Sequence, residues 1–137
     1  MRRDSAIIIH TIRKTHMIKA IKFVSVPVSN QDAALDFYTT KLGFRVVTDQ
    51  PFDGTQRWIE IGIGKSVTGL ALFTSDEHKN RVGTFTGISF VSDDVMATWK
   101  ELAAKGVEFV KKPVQQEWGT SAVFKDQDGN QFVLSSS

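Results

Sequence analysis

The chain has 137 residues and no cysteine. Disulfides, thiolate zinc sites and cysteine nucleophiles are excluded together, and the composition fits a reducing compartment, so a cytoplasmic location is the expectation. Histidine is nearly as scarce. There are three, and His10 and His16 fall in the first sixteen residues, leaving His78 for the rest. No histidine is therefore placed to activate a serine. No apolar run approaches membrane length, and Ala6-Ile7-Ile8-Ile9 is too short for a span or a signal-peptide core. Dinucleotide-type glycine signatures are missing. Gly62-Ile63-Gly64-Lys65-Ser66 lacks the spacing of a phosphate loop and leads into a strand, so it reads as a hairpin turn.

Basic surface is also missing from the body of the chain, although the pI is about 9.0. Residues 1–16 carry Arg2, Arg3, Arg13 and Lys14 against Asp4, a net +3, whereas the whole chain is +2 and the remainder therefore −1. That distribution argues against a nucleic-acid-binding face, which needs clustered Lys and Arg on the folded domain. It marks residues 1–17 as a flexible basic extension, with Met17-Ile18-Lys19 as the effective beginning of the domain.

What the body does contain is a repeat. Val28-Ser29-Asn30 opens a helical stretch ending at Lys41-Leu42-Gly43-Phe44, and Val91-Ser92-Asp93 opens another ending at Ala104-Lys105-Gly106-Val107. Both matches fall 63 residues apart. A period of that length predicts two fused copies of one supersecondary unit, with a groove between them suited to a ligand. In the first copy, Val24, Val26 and Val28 share one face of a strand, and Phe23, Ser25 and Pro27 the other. Ser29 or Asn30 caps a helix whose apolar stripe is Ala33, Ala34, Phe37, Tyr38 and Leu42. Strands follow over Phe44 to Thr48, Trp58 to Ile63 and Gly69 to Thr74. In the second copy, Phe85 to Val91 is a strand and Ser92 caps a helix buried through Val95, Trp99, Leu102 and Ala103. Strands over Val107 to Val110, Gly119 to Lys125 and Gln131 to Leu134 complete it, with a break at Lys111-Lys112-Pro113 and a turn at Asp128-Gly129. The expected class is α+β: two tandem βαβββ modules, about residues 18–75 and 84–136 around a linker at about 76–83, forming curved mixed sheets around a cleft with helices on the outer face.

Three stretches in this order resemble the vicinal-oxygen-chelate superfamily of glyoxalases, bleomycin-resistance proteins and extradiol dioxygenases. They are Val26 to Phe44, Val107-Glu108-Phe109 after Gly106, and Phe124-Lys125-Asp126-Gln127-Asp128-Gly129-Asn130. The resemblance covers about Ile18 to Ser135 and implies a small-molecule cleft, commonly within a homodimer. It also implies a divalent metal held by His and Glu on four strands. Carried over residue by residue, those positions fall at Phe23, near Leu72, near Gly87 and at Val133, none of which offers a side-chain ligand. A slip of one residue gives Lys22, Val24, Ala71, Phe73, Thr86, Ile88, Phe132 or Leu134, which serves no better. His78, in Asp76-Glu77-His78-Lys79, reads as part of a solvated linker.

The expected function is binding of a small organic molecule in an apolar cleft, with no cofactor and no family-type metal. The expected partners are that ligand and a second copy of the chain, and neither nucleic acid nor membrane. Parity along the strands assigns Phe23, Ser25, Trp58, Leu72, Ser89, Gln131 and Val133 to the cleft, Arg57 to its rim and Trp118 beside it. Leu70 and Val91 follow by the same parity. Glu60 is the one acid on an otherwise apolar strand and the candidate general base. The alternative is therefore an enzyme of the superfamily, a lyase, isomerase or dioxygenase, using Glu60 or displaced metal ligands.

Overall fold

Alternating side chains over Phe23–Pro27 form strand β1 in the computed structural model, which describes residues 17–137. The basic extension, with His10 and His16, lies outside the described residues but for Met17. Asn30 then starts helix α1, Gln31–Asp36: its side chain accepts a hydrogen bond from the Ala33 N–H at 2.8 Å, and Asp32 stands in the first turn. The helix widens into a π turn over Phe37–Lys41, where the Leu42 N–H reaches the Phe37 carbonyl at 3.3 Å. Gly43 stops it with a φ of 75°, which a side chain would oppose. Strands β2 (Arg45–Asp53), β3 (Gln56–Gly62) and β4 (Gly69–Phe73) follow. A 3-10 segment, Asp76–Arg81, leads to β5 (Phe85–Ser92), α2 (Val95–Ala104), β6 (Phe109–Gln116), β7 (Gly119–Lys125) and β8 (Gln131–Ser136).

The two sheets have the same order, β1-β4-β3-β2 and β5-β8-β7-β6. In each, the first strand pairs in parallel with the last and the others run antiparallel. The repeat therefore does encode two tandem βαβββ modules of α+β class.

Several local expectations are corrected. Strand β2 runs to Asp53 and not to Thr48, and β6 runs to Gln116 straight through Lys111-Lys112-Pro113. Both are edge strands with register shifts, at Pro51/Asp53 and at Lys111/Val114, where a residue without an N–H removes no ladder bond that matters. Asp94, not Ser92, caps α2, accepting from the Ala97 N–H at 2.9 Å. Ala33 and Ala103 are exposed, because the stripe of each helix is narrower than the apolar composition suggests.

Register decides which side chains meet the helices. Val24 and Val26 lie beside Leu70 and Leu72, which lie beside Ile61 and Ile59. In the second sheet Phe90 lies beside Leu134, which lies beside Ala122, and Phe124 pairs with Phe132. These two helix-bearing faces feed one core. Aromatic rings cross the seam between modules: Tyr38 meets Phe132 edge-on at 6.1 Å, and Phe44 meets Phe90 at 5.5 Å.

A buried polar knot fixes that seam. Tyr38 donates its hydroxyl to Asp126 Oδ2 at 2.6 Å, and Asn130 Nδ2 donates to the same oxygen at 2.8 Å. The backbone N–H groups of Asp128 and Asn130 donate to Asp126 Oδ1, each at 2.9 Å. Asn130 Nδ2 also reaches the Pro27 carbonyl at 3.1 Å, and its Oδ1 accepts from the Gly83 N–H at 2.7 Å. Module one, the linker and module two thus converge on one turn, with no buried polar side-chain atom left unpaired among the described residues.

Burial raises Asp126 above the usual aspartate value, while the Tyr38 and Asn130 hydrogen bonds act in the opposite direction. A raised folded-state value means that the folded chain takes up the proton first. The contribution of this group to stability is then greatest below the unfolded pKa and is lost as pH rises through the folded one. Tyr38→Phe removes one of the groups that holds the value down. It is expected to destabilise the fold by about 1–3 kcal/mol at neutral pH, with an unchanged urea m-value, and by less at acid pH. Urea denaturation at both pH values measures this.

Candidate functional site

The faces turned away from the helices are the candidate site. On sheet one, Ser25, Ala71, Glu60 and Thr48 lie side by side across four strands, and Gln50 lies beside Trp58 one step along. Trp58 is packed by Phe23 edge-on at 5.4 Å and by Phe52 at 5.7 Å, so an aromatic wall rises beside a floor of small side chains. The Trp58 indole N–H donates to Glu60 Oε1 at 2.8 Å. Glu60 pairs with no lysine or arginine among the described residues. Arg45 lies over Gly62 nearby but donates to the Gly64 carbonyl at 2.6 Å.

On sheet two, Ser89, Val133 and Val123 form one row, and Val91, Ser135 and Ser121 the next. Gln131 flanks them beside Lys125. Trp118 sits at the β6–β7 turn and is 67% exposed. Strand β5 alternates along its whole length, with Ser89 and Val91 outward.

Three of the residues expected in or at the rim of the cleft are elsewhere. Leu72, with Leu70, faces the helix side, because register places it beside Val26 and Ile59 in the core. The alternation on β4 is one residue out of step with the expectation, and Ala71 and Phe73 take the outward positions beside Ser25 and Pro27. Arg57 is also on the helix side. It donates to Asp32 at 2.6 Å and to Asp49 at 3.0 Å, so its guanidinium links α1 to β2 and is not open to a ligand. These carboxylates raise its pKa further above the usual arginine value. Beside it the buried Gln31 donates Nε2 to the Arg57 and Leu72 carbonyls at 2.7 and 3.0 Å and accepts from the Arg57 N–H at 2.9 Å. Phe23, Ser25, Trp58, Glu60, Ser89, Gln131 and Val133 do stand on the outward faces. Sequence reading missed Phe52, Ala71, Ser121 and Ser135. The last two were within reach, since Phe124 and Ala122 are the apolar half of β7 and its serine and valine must face the other way.

The residues at the family's metal positions do not fit a metal. Phe23 and Val133 are hydrocarbon, and Leu72 and its neighbours Ala71 and Phe73 offer no donor. Gly87 has no side chain and adopts a φ of 76° at the irregularity in β5. No group of three or more His, Cys, Asp or Glu is gathered among the described residues. His78 lies in the 3-10 segment, edge-on to Phe73 at 6.0 Å.

Residues 20–134 match the family described as the Glyoxalase/Bleomycin resistance protein/Dioxygenase superfamily. The chain is 36% identical over 118 residues to the uncharacterized protein YetH of Bacillus subtilis (strain 168), covering 86% of this chain and 98% of that one. It is similar to the crystal structure of a superfamily member from Sphaerobacter thermophilus DSM 20745, with a TM-score of 0.81 and 34% identity over 88% of this chain and 99% of that one. It is also similar to TnmS3, an antibiotic binding protein from Streptomyces sp. CB03234, with a TM-score of 0.78 and 33% identity over 88% and 97% of the two chains.

A side chain at position 87 meets open space but the wrong backbone. Gly87→Ala is therefore expected to cost about 1–2 kcal/mol with no steric clash to explain it, and a thermal melt of the variant against the parent reads the loss. Gln31→Ala strands two carbonyls and an N–H and is expected to cost about 2–3 kcal/mol, read by urea denaturation.

Proposed function

The chain belongs to the glyoxalase/bleomycin resistance protein/dioxygenase superfamily, and on that premise we propose that it binds a small organic molecule on its outward sheet faces, without a metal of the family type. The observation that carries this reading is what stands at the metal positions: two hydrocarbon side chains, a glycine with no side chain, and a β4 position with no donor. The aromatic wall of Phe23, Trp58 and Phe52 supplies an apolar surface instead, with the two phenylalanine rings set edge-on and tilted against the indole. The antibiotic-binding neighbour TnmS3 supports the same ligand class in broad terms.

A second copy completes the site. Because both helix-bearing faces are used up in one core, each outward face is open in a single chain. Val91 is 66% exposed and Phe52 65%. Val91 also lines a hollow of about 580 Å³ at the seam, whose other apolar walls, Val24, Leu70, Ile88 and Phe90, belong to the helix-bearing side. Apolar surface of this kind marks an interface. A homodimer with twofold symmetry sets module one of each copy against module two of the other and closes two equivalent clefts.

The enzyme reading rests on Glu60. The indole N–H holds Oε1, and no hydrogen bond among the described residues occupies Oε2, which leaves that oxygen available to a general base's task. Turnover that Glu60→Gln abolishes while ligand binding persists would establish it.

Sedimentation velocity is expected to show a dimer. Val91→Asp is expected to give a folded monomer whose ligand affinity drops at least tenfold, because a charge on that open face harms the interface and not the core. Calorimetry against a panel of aromatic antibiotics and metabolites tests binding, and heats unchanged by a chelator with no stoichiometric metal on elemental analysis are the expected result. Silence across the panel, or an ion whose removal ends binding, overturns the reading.

A further inference from the structure

The two outward faces differ in chemistry, and the difference selects a ligand. Sheet one offers aromatic carbon: Phe23 and Trp58 meet at 5.4 Å, and Phe52 extends the wall. Sheet two carries one outward aromatic ring, Phe85 at the start of β5 beside Gln131, and none in the rows that follow. It offers serines alternating with valines, Ser89 beside Val133, and Ser121 beside Ser135 beside Val91.

The state of those hydroxyls is what points to a ligand. Hydroxyls around them are used within the chain. Thr86 donates to the Gln131 carbonyl at 2.7 Å, Ser92 pairs with Thr98 at 2.7 Å, and Ser136 accepts from the Thr120 N–H at 2.9 Å. Among the described residues, the hydroxyls of Ser89, Ser121 and Ser135 enter no hydrogen bond within the chain, and none is an orphaned buried atom, so all are open to the face. Each can donate and accept. Ser121 and Ser135 are direct cross-strand neighbours, so they present two such groups a strand spacing apart.

Resting on the shared-cleft reading above, we infer that the ligand class is a flat fused-ring aromatic bearing hydroxyl or carbonyl oxygens. One side of it stacks on the Trp58 wall of one copy, and its oxygens meet the Ser121–Ser135 pair and Ser89 of the other. A purely hydrocarbon ring leaves the serines unmatched as water is excluded, and a saturated polyol wastes the aromatic wall. Both are disfavoured for the same reason: one of the two faces is desolvated without a partner.

Calorimetry with a dihydroxynaphthalene and with naphthalene itself tests this on the full chain. The hydroxylated probe is expected to bind roughly tenfold more tightly. Ser121→Ala/Ser135→Ala is expected to erase that preference, weakening the hydroxylated probe and tightening naphthalene as the unmatched hydroxyls go, whereas Trp58→Leu weakens both probes. Ser89→Ala, made separately, is expected to reduce the preference in part, so that the result does not depend on one variant. Equal affinity of the parent for the two probes, or a preference indifferent to all three serines, overturns this inference while leaving the cleft standing. A dimer that binds neither probe overturns it together with the cleft.

Discussion

The arrangement of this protein depends on one carboxylate. Asp126 takes four donors on its two oxygens, and one of them, the Tyr38 hydroxyl, comes from the other module. The same turn holds Asn130, which is fully buried and reaches both Pro27 at the end of β1 and Gly83 at the end of the linker. A buried charge of this kind stabilises little by itself, since its desolvation offsets much of what its hydrogen bonds return. Its effect is directional. Only one relative placement of the modules satisfies every donor, so the knot selects a geometry that hydrophobic contact alone would leave loose.

That geometry has a consequence at the opposite faces. Two modules each need to cover a helix-bearing sheet face, and here the Tyr38–Phe132 and Phe44–Phe90 contacts join those faces into one core. The remaining faces cannot then cover one another within the chain. This explains why β5 reads exposed at every second residue although it lies against β8 along much of its length. The open faces follow from the way the core was closed, and in the proposed dimer a cleft made from them would draw its two walls from two chains.

Most of the architecture was legible because it is written in periodicity. The 63-residue repeat, the valine alternation in β1 and the Gly43 stop each report a local rule. The failures share a cause as well. Leu72 and Arg57 were misplaced because β3 and β4 consist of apolar or mixed residues on both faces, and Leu70-Ala71-Leu72 has no polar residue to mark which side is outward. Only the pairing of Leu72 with Val26 and Ile59 resolves it, and pairing is not a property of one strand. The length of β6 was not legible because Lys111-Lys112-Pro113 reads as a break, and β2 likewise runs on through Pro51, since an edge strand tolerates what a central one does not. Arg57 was invisible for a further reason: its partners Asp32 and Asp49 lie 25 and 8 residues away, and nothing local announces them.

At Gly87 the backbone as well as the side chain departs from what a metal ligand needs. A strand position that presents a ligand to a metal must hold its Cβ outward at an ordinary strand geometry. At Gly87 the backbone sits at a φ of 76°, and the register of β5 against β8 slips between Phe85 and Ser89. The backbone itself lies outside the conformation that would aim an imidazole or a carboxylate. Restoring a donor there by one substitution would place it on the wrong backbone. The slip lies immediately before Ser89 and Val91, the residues that β5 contributes to its outward face. The local geometry at Gly87, which does not suit a side-chain ligand, adjoins the stretch of β5 where Ser89 and Val91 alternate with inward residues.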